Sequence, residues 1–233
     1  EHLALFFYQF TPLYGHNRCC GNDTVDNSGK SVESTNNKVS KVKHKKPKKD
    51  PREVVNGELL KVGQWCNDDE QGKMELYKIC VPGTVIDDGP IKCTVKSIKI
   101  FKITPQTQEQ IEIAKDDYNT NSVPKVYYTL QVVYDLENTS QDALQFTGVE
   151  SIVTSTGQQM SSDGSGMYDD GIGVKVAGNG QRENVAIGMI NDGDYSKITD
   201  ITIKFSGQLS KDNGDYDDYS DQTDAVKISL DNQ

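Results

Sequence analysis

The sequence predicts an all-β protein, an antiparallel β-sandwich of about nine strands with one short helix inserted, preceded by a disordered basic linker. Three observations lead to this prediction. Apolar residues alternate with polar ones through most of residues 53–233. Gly, Asn and Asp collect between the alternating stretches, as turns require. A single stretch follows helical spacing instead.

The clearest strand carries six apolar residues on one face, with polar residues between several of them. These six are Val126, Tyr128, Leu130, Val132, Tyr134 and Leu136. We expect them to be buried together on a central strand, because residues i, i+2 and i+4 of a strand share a face. The remaining strands are predicted at other apolar alternations. These are Leu60/Val62, Met74/Leu76, Leu144/Phe146, Ile152/Val153, Ile172/Val174/Val176, Val185/Ile187/Met189, Ile201/Ile203/Phe205 and Val226/Ile228/Leu230.

A long alternating stretch, residues 91–103, changes parity near its middle. Ile91, Cys93 and Val95 share one face, whereas Ile98 and Ile100 have the opposite parity. A β-bulge near Lys96-Ser97 would bring both halves to the same side of a sheet.

The helix is predicted between Thr104 and Tyr118. Thr104 suits the N-cap, Pro105 suits the first helical position, and Ile111, Ala114 and Tyr118 recur at helical spacing. The polar run 119–121 and the proline at 124 end it.

Charge divides the 233-residue chain into a basic arm and an acidic body. Residues 1–52 contain ten lysines and arginines against five acids, whereas residues 53–233 contain fifteen against thirty. The total formal charge is −10 and the isoelectric point is near 4.8. Nucleic-acid binding is excluded for the body, because phosphates repel such a surface.

Residues 22–52 are rich in Asn, Ser, Thr, Lys and Pro and poor in apolar side chains. Such a segment cannot bury enough apolar surface to offset the entropy of ordering, so we interpret it as a disordered linker. The lysines within 41–49 could contact an anionic membrane or wall polymer. The alternative is a solvated spacer extended by its own charge.

The first 21 residues resemble a degenerate signal and lipidation segment. An apolar stretch, residues 3–10, is followed by Cys19 and Cys20 and then by the polar linker. Cys20 is the candidate lipidation site, and export from the cytoplasm follows from this interpretation. The alternative is an irregular N-terminus without function, since the residues before the cysteines are neither small nor apolar.

Several motifs of the body resemble a known group of proteins. The motifs are Gly-Glu-Leu-Leu-Lys-Val-Gly (57–63), Tyr-Thr-Leu-Gln-Val-Val-Tyr-Asp-Leu-Glu-Asn-Thr-Ser (128–140), Phe-Thr-Gly (146–148) and Val-Thr-Ser-Thr-Gly-Gln (153–158). With the cysteine and the Lys-rich spacer, they resemble Gram-positive bacterial cell-envelope lipoproteins that carry an immunoglobulin-like domain of unknown function. The resemblance implies an immunoglobulin-like sandwich over residues 53–233 and brings no catalytic signature with it.

Histidine-dependent catalysis is excluded within the body. The three histidines are His2, His16 and His44, so residues 53–233 can form neither a Ser-His-Asp relay nor a histidine-ligated zinc site. Acidic residues are plentiful but lie mostly in turns, where solvation is more common than a glycosidase pair. Tyr168 and Tyr216 are interpreted as exposed turn residues.

A calcium site is considered at the loop 212–221, where five aspartates fall within ten residues. They are Asp212, Asp215, Asp217, Asp218 and Asp221. Calcium prefers several carboxylate and carbonyl oxygens from a curling loop. The loop 163–166, with Asp169 and Asp170, could add ligands. The competing interpretation is a solvated acidic loop, and we assign no metal ligand.

The body contains three cysteines and one tryptophan. Cys66 and Cys80 flank a predicted hairpin around 67–73, so a disulfide between them is one possibility. A Cys80–Cys93 disulfide is a second, and Cys93 as a buried thiol is a third. Trp65 is predicted to lie in the core.

These observations predict a non-enzymatic, extracytoplasmic binding module tethered to the surface of a bacterial envelope, with no cofactor and with an unknown envelope or extracellular partner. Two alternatives stay open. One is a carboxylate-dependent hydrolase acting on cell-wall polymer. The other is a calcium-binding surface protein.

Overall fold

The structure is a computed structural model that describes residues 50–162, 166–206, 208–211, 216–218 and 224–231. The candidate lipidation site Cys20, the linker up to residue 49 and most of the acidic loop 212–221 lie outside the described residues. Within them, no helix has the length and apolar character needed to cross a bilayer.

The described residues form fifteen strands and one helix, α1. The helix and strands, in chain order, are β1 (Trp65–Asp68), β2 (Gly72–Cys80), β3 (Thr84–Asp88), β4 (Ile91–Thr104), α1 (Gln108–Asp117), β5 (Tyr127–Asn138), β6 (Leu144–Phe146), β7 (Val149–Thr154), β8 (Gln159–Ser161), β9 (Met167–Asp169), β10 (Val174–Val176), β11 (Gln181–Ile190), β12 (Asp200–Phe205), β13 (Gln208–Lys211), β14 (Tyr216–Asp218) and β15 (Val226–Ser229). The predicted all-β class with one short helix is confirmed. The strands outnumber the nine or so predicted because several are only three or four residues long.

One large antiparallel sheet forms the first layer of a sandwich. Its strand order is β1-β2-β4-β5-β11-β9, and β3 pairs with the first half of β4. The register between β4 and β5 shifts between Val95 and Ser97. This bulge confirms the predicted change of parity and lets both halves of β4 bury their apolar residues against the same core.

The second layer consists of two four-stranded sheets, β10-β6-β13-β14 and β15-β12-β7-β8. The chain passes directly from one to the other three times, between β6 and β7, between β12 and β13 and between β14 and β15. We call the place where the β6–β7 and β12–β13 connections run side by side the sheet break. There the backbone N–H of Ser206 donates to the carbonyl oxygen of Gly148 at 2.9 Å, and the Thr147 and Ser206 hydroxyls lie 2.6 Å apart. Gly148 has a φ of +89°, a conformation that favours glycine.

The space between the two layers is the sandwich core. Leu130, Val132, Tyr134 and Leu136 are fully buried in it, which confirms the predicted face of β5 for these four residues. The prediction is wrong for Val126, which precedes β5 and is 41% exposed, and Tyr128 is only half-buried.

The outer face of the large sheet is also covered, by α1 and the segment before β1. A second apolar cluster, the helix-side cluster, forms there. Its buried members are Leu59, Cys66, Met74, Leu76, Phe101, Ile103, Ala114, Tyr118, Tyr127 and Ile187. Both faces of β5 are therefore buried near its start, where Tyr127 and Thr129 are as buried as Leu130. Strands covered on two sides cannot show a simple alternation of burial.

The helix begins later than the sequence predicts. Thr104 is the last residue of β4 and pairs with Lys73, because the residue before a proline favours an extended backbone. Thr107 is the N-cap instead, and it forms a capping box with Gln110. The Gln110 amide also donates to the carbonyl oxygens of Asp68 and Asp69 at 3.3 and 3.0 Å, which holds the helix against the β1–β2 turn.

Besides Val126, three predicted strand residues lie outside strands at the surface. Leu60 and Val62 are 60% and 65% exposed in the segment before β1, and Ile172 is exposed before β10. Each lies in a loop, where a short apolar alternation has no neighbouring strand to pair with.

Trp65 is half-buried rather than part of either apolar cluster. Its indole N–H donates to Asp50 at 3.3 Å, and the Lys73 ammonium lies 4.2 Å from the ring centroid. The backbone N–H of Trp65 donates to the carbonyl oxygen of Arg52 at 3.0 Å. The last three residues of the predicted linker, 50–52, thus contact β1.

The three cysteines of the body are thiols. Cys66 belongs to the helix-side cluster, whereas Cys80 and Cys93 belong to the sandwich core. The pairing of β2 with β4 shifts register between Leu76 and Lys78, so even-numbered residues of β2 face the helix-side cluster before the shift and the sandwich core after it. The predicted hairpin is present, but this bulge sends Cys66 and Cys80 to opposite faces of the sheet.

Candidate functional site

A solvent-open cleft of about 660 Å³ lies at one end of the sandwich. We call it the end cleft. It is enclosed by the loop after α1, the start of β5, the β7–β8 turn and the end of β11, with Gly166 at the start of β9 also lining it. A volume of roughly 300–1,000 Å³ is typical of small-molecule sites.

The first wall is fixed by the way α1 ends. The backbone N–H of Thr120 donates to the carbonyl oxygen of Lys115 at 3.0 Å, and that of Asn119 donates to Asp116 at 3.3 Å. Asn119 has a φ of +46°. Together these features form a Schellman motif with asparagine in the left-handed position. The Thr120 hydroxyl then donates to the carbonyl oxygen of Ser122 at 3.2 Å, which shapes the loop that borders the cleft.

The opposite wall is held by Gln158. Its side-chain amide donates to the carbonyl oxygen of Met189 at 2.8 Å and accepts from the backbone N–H of Asn191 at 2.8 Å. One side chain thereby joins the β7–β8 turn to the end of β11. Both hydrogen-bonding ends of Gln158 are occupied, so it positions the wall rather than offering its amide to a ligand.

A tyrosine cluster borders the cleft through Tyr128. The Tyr128 and Tyr195 rings are parallel, with centroids 3.5 Å apart, and Tyr77 meets them edge-on at 5.7 and 5.1 Å. Tyr77 is the bulged residue of β2 and is 38% exposed. The bulge turns its side chain outward, next to Tyr128 at the start of β5.

The cleft carries little charge. Asp192, which is exposed, is the one charged side chain among the described residues that line it. Burial raises the pKa of Tyr128, and its hydrogen bond with Tyr195 acts in the same direction. The phenol therefore stays neutral across the physiological range.

A second polar constellation lies inside the sandwich core, around the buried carboxylate of Asp169. Its Oδ1 accepts from the Tyr134 hydroxyl at 2.7 Å and from the backbone N–H of Gly171 at 2.9 Å. Its Oδ2 accepts from the backbone N–H of Val149 at 2.6 Å. Burial raises the pKa of Asp169, and these three hydrogen bonds oppose the shift.

Two glycines make room for this carboxylate. A Cβ on Gly148 would lie 2.5 Å from Asp169 Oδ2, and a Cβ on Gly171 would collide with the Tyr134 hydroxyl. Asp169 is the one acid among the buried polar residues of the described part of the chain. Its three hydrogen bonds join β5, the start of β7 and the segment after β9, so the arrangement is structural, and no second buried carboxylate faces it among the described residues.

Asp169 and Asp170, the candidates for additional calcium ligands, both hydrogen-bond to backbone N–H groups instead. Asp169 faces the core, and Asp170 Oδ1 accepts from the backbone N–H of Val185 at 2.6 Å. Tyr168 is a half-buried residue of β9 rather than an exposed turn residue, and burial raises its pKa. Tyr216 falls in β14. Among the described residues, no group of acids, cysteines and histidines could hold a metal ion.

Sequence reasoning missed both the end cleft and the tyrosine cluster. The alternation predicts Tyr128 in the core with its strand neighbours, and Tyr195 lies in a loop without periodicity. One signal was available: Val126 and Tyr128 open their strand directly after Pro124, and strand starts lie at the ends of a sandwich.

Comparison with known proteins finds similar structures but no family. No family model matches the sequence, and no curated protein matches it. A functionally unknown protein from Listeria monocytogenes EGD-e has a TM-score of 0.42 and 10% identity, covering 67% of this chain and 86% of its own. An uncharacterized β-sandwich protein from Clostridium difficile 630 has a TM-score of 0.34 and 14% identity, covering 54% of this chain and 85% of its own. Neither likeness carries an argument about function.

Proposed function

We propose that this protein is a non-enzymatic binding module, held at the outer surface of a bacterial envelope and contacting its partner through the end cleft. The observation that carries the proposal is the cleft itself, a concave site formed by hydrogen-bonded loops with an aromatic border. Exposed loops on a rigid sandwich are common places for binding residues. The basic linker would serve as the tether, with Cys20 as its lipid anchor.

The chemistry of the cleft favours binding over hydrolysis. A carboxylate-dependent glycosidase needs two acids flanking the scissile bond. The described lining contributes a single acid, Asp192, and the buried Asp169 is committed to three hydrogen bonds elsewhere. Among the described residues that line the end cleft, the hydrolase alternative therefore has no pair of acids to perform it.

The test is sedimentation of the full chain with isolated Gram-positive envelope fragments. The cleft variant is Gln159→Ala with Asn191→Ala, and the matched control is Gln181→Ala with Asn56→Ala. All four side chains are exposed. We expect the wild type and the control to sediment and the cleft variant to stay in solution. Equal sedimentation of both variants would refute the role of the cleft.

Two further measurements belong to the same experiment. Washing at 1 M salt, where the Debye length is about 3 Å, removes a contact made only by the lysines of the linker but leaves a contact in the cleft. Release of soluble sugar from the fragments would instead support the hydrolase.

The anchor is tested separately by expression in a Gram-positive host. We expect Cys20→Ala to move the protein out of the membrane fraction and Cys19→Ala to leave it there. Retention of the Cys20→Ala variant would contradict lipidation at this residue.

A further inference from the structure

We propose that the end cleft binds a neutral oligosaccharide. This inference rests on the proposed function and specifies the ligand of the same site. It follows from three properties of the cleft: its charge, its hydrogen-bonding groups and its apolar surface.

The charge of the cleft disfavours anionic ligands. No lysine, arginine or histidine is among the described residues that line it, and the body carries twice as many acids as bases. Phosphate, sulfate and uronate groups would meet this negative field without a compensating cation. A cationic ligand gains little, because Asp192 is exposed to water and solvent screens an ion pair at the surface.

The hydrogen-bonding groups of the cleft are amides and hydroxyls. Gln159 and Asn191 extend exposed side-chain amides from the β7–β8 turn and from the end of β11. Neither amide side chain bonds to another described residue, so each can both donate and accept. Ser122 lies on the wall across from them. Paired donors and acceptors of this kind match the hydroxyl groups of a sugar, each of which also donates and accepts.

The apolar surface lies beside these groups. Val126 is an exposed valine in the cleft, and the half-buried Tyr128 ring follows it two residues later. A sugar ring has a face of C–H groups and a rim of hydroxyls. The C–H face can pack on Val126 and Tyr128 by dispersion while the rim reaches the amides. The stack with Tyr195 holds the Tyr128 ring in place before a ligand arrives, which lowers the entropy cost of binding.

The experiment is an NMR titration of the full chain with four probes. N,N′,N″-triacetylchitotriose and maltotriose are neutral oligosaccharides, a hyaluronan tetrasaccharide is an anionic one, and N-acetyl-tetra-alanine amide is an uncharged peptide. We expect the neutral oligosaccharides to shift the Gly157 amide and the Tyr128 ring signals in a saturable manner, with dissociation constants near 1 mM. The Gln159→Ala/Asn191→Ala variant should bind at least tenfold more weakly, and the Gln181→Ala/Asn56→Ala control should bind like the wild type.

The inference is overturned if neither neutral oligosaccharide shifts these signals at about 10 mM, if the anionic probe binds as well, or if only the peptide binds. Its failure is distinguishable from failure of the proposed function. Envelope sedimentation that depends on the cleft, combined with no response to the neutral probes, rejects the saccharide and keeps the binding module. Sedimentation that is insensitive to the cleft variant rejects the binding role of the cleft.

Discussion

Strand β5 buries two tyrosines on opposite faces of the large sheet, and their hydroxyls differ in hydrogen bonding. Tyr134 is fully buried in the sandwich core, and its hydroxyl donates to Asp169 at 2.7 Å. Tyr127 is 3% exposed in the helix-side cluster, and its hydroxyl has no hydrogen-bond partner among the residues that the structure describes. The sandwich core therefore satisfies a buried phenol that the helix-side layer leaves unsatisfied.

The difference reflects how each layer is built. Within the described residues, the sandwich core contains twenty-seven buried residues from both layers, whereas the helix-side cluster contains ten. The sheet break frees the backbone N–H of Val149, and Asp169 accepts from it and from Tyr134 together. Among the described residues of the helix-side layer no carboxylate hydrogen-bonds to the Tyr127 hydroxyl, although Asp117 and Asp68 are near enough to act on its pKa.

The largest expected effect is that of Asp169→Asn. The asparagine has one acceptor oxygen for three donors, and its NH₂ would face either the Val149 N–H or the Tyr134 hydroxyl. We expect the free energy of unfolding to fall by about 3 kcal/mol. Urea unfolding measures it. The control is Asp170→Asn, which keeps an oxygen for the Val185 N–H and should cost less than about 1 kcal/mol. Equal losses of unfolding free energy in the two variants would contradict a special role for Asp169.

The paired phenylalanine substitutions test the comparison directly. Tyr134→Phe deletes a hydrogen bond to a buried carboxylate and should lower the free energy of unfolding by about 2 kcal/mol. Tyr127→Phe deletes a hydroxyl that bonds to no described residue and should leave stability unchanged or raise it by up to about 1 kcal/mol. A similar loss in both variants would show that Tyr127 has a partner in solution.

Raising the pH should destabilise the folded state through both phenols. Burial raises the pKa of both Tyr134 and Tyr127 in the folded state, and nearby carboxylates act in the same direction. Each phenol ionises in the unfolded chain near its ordinary pKa of 10.0 while staying neutral in the fold. Stability therefore falls as the pH rises above about 10. Each phenylalanine variant should show a shallower fall than the wild type, and an unchanged slope in either variant would contradict burial of that phenol.

The smallest expected effect is that of reductant. Because Cys66, Cys80 and Cys93 are buried thiols, dithiothreitol should leave the thermal midpoint unchanged. Burial also raises the pKa of Cys80, which slows its reaction with iodoacetamide. Peptide mapping should find all three unmodified in the native protein and all three alkylated after unfolding without reductant. Two protected cysteines in the unfolded sample would reveal a disulfide.

The sequence predicts those parts of the fold in which local pattern and burial agree. The β4 bulge and the buried residues from Leu130 to Leu136 follow from parity, since they face one continuous core. The bulge at Tyr77 could not be predicted, because residues 72–80 read equally well as an unbroken strand. The possible disulfide between Cys66 and Cys80 assumes this unbroken strand, whereas the bulge places the two thiols on opposite faces of the sheet. The burial of Tyr127 also escaped prediction, because it depends on a helix packing on the outer face.

Local sequence pattern cannot predict the end cleft, for a related reason. Its walls come from residues near 120, 158 and 190, which the topology brings together at one end of the sandwich. Gln158 illustrates the limit: its two hydrogen bonds reach residues more than thirty positions away. No spacing rule connects such positions in a single sequence.

The sheet break also constrains how this protein can change over evolution. Gly148 and Gly171 leave room for a carboxylate and a phenol, and a side chain at either position would collide with one of them. A lineage that loses Asp169 loses a reason for the tyrosine at 134 and for the glycine at 171 that makes room for its hydroxyl, whereas the positive φ at 148 still favours glycine there. In related sequences we expect positions 134, 169 and 171 to vary together, with all three kept or all three replaced.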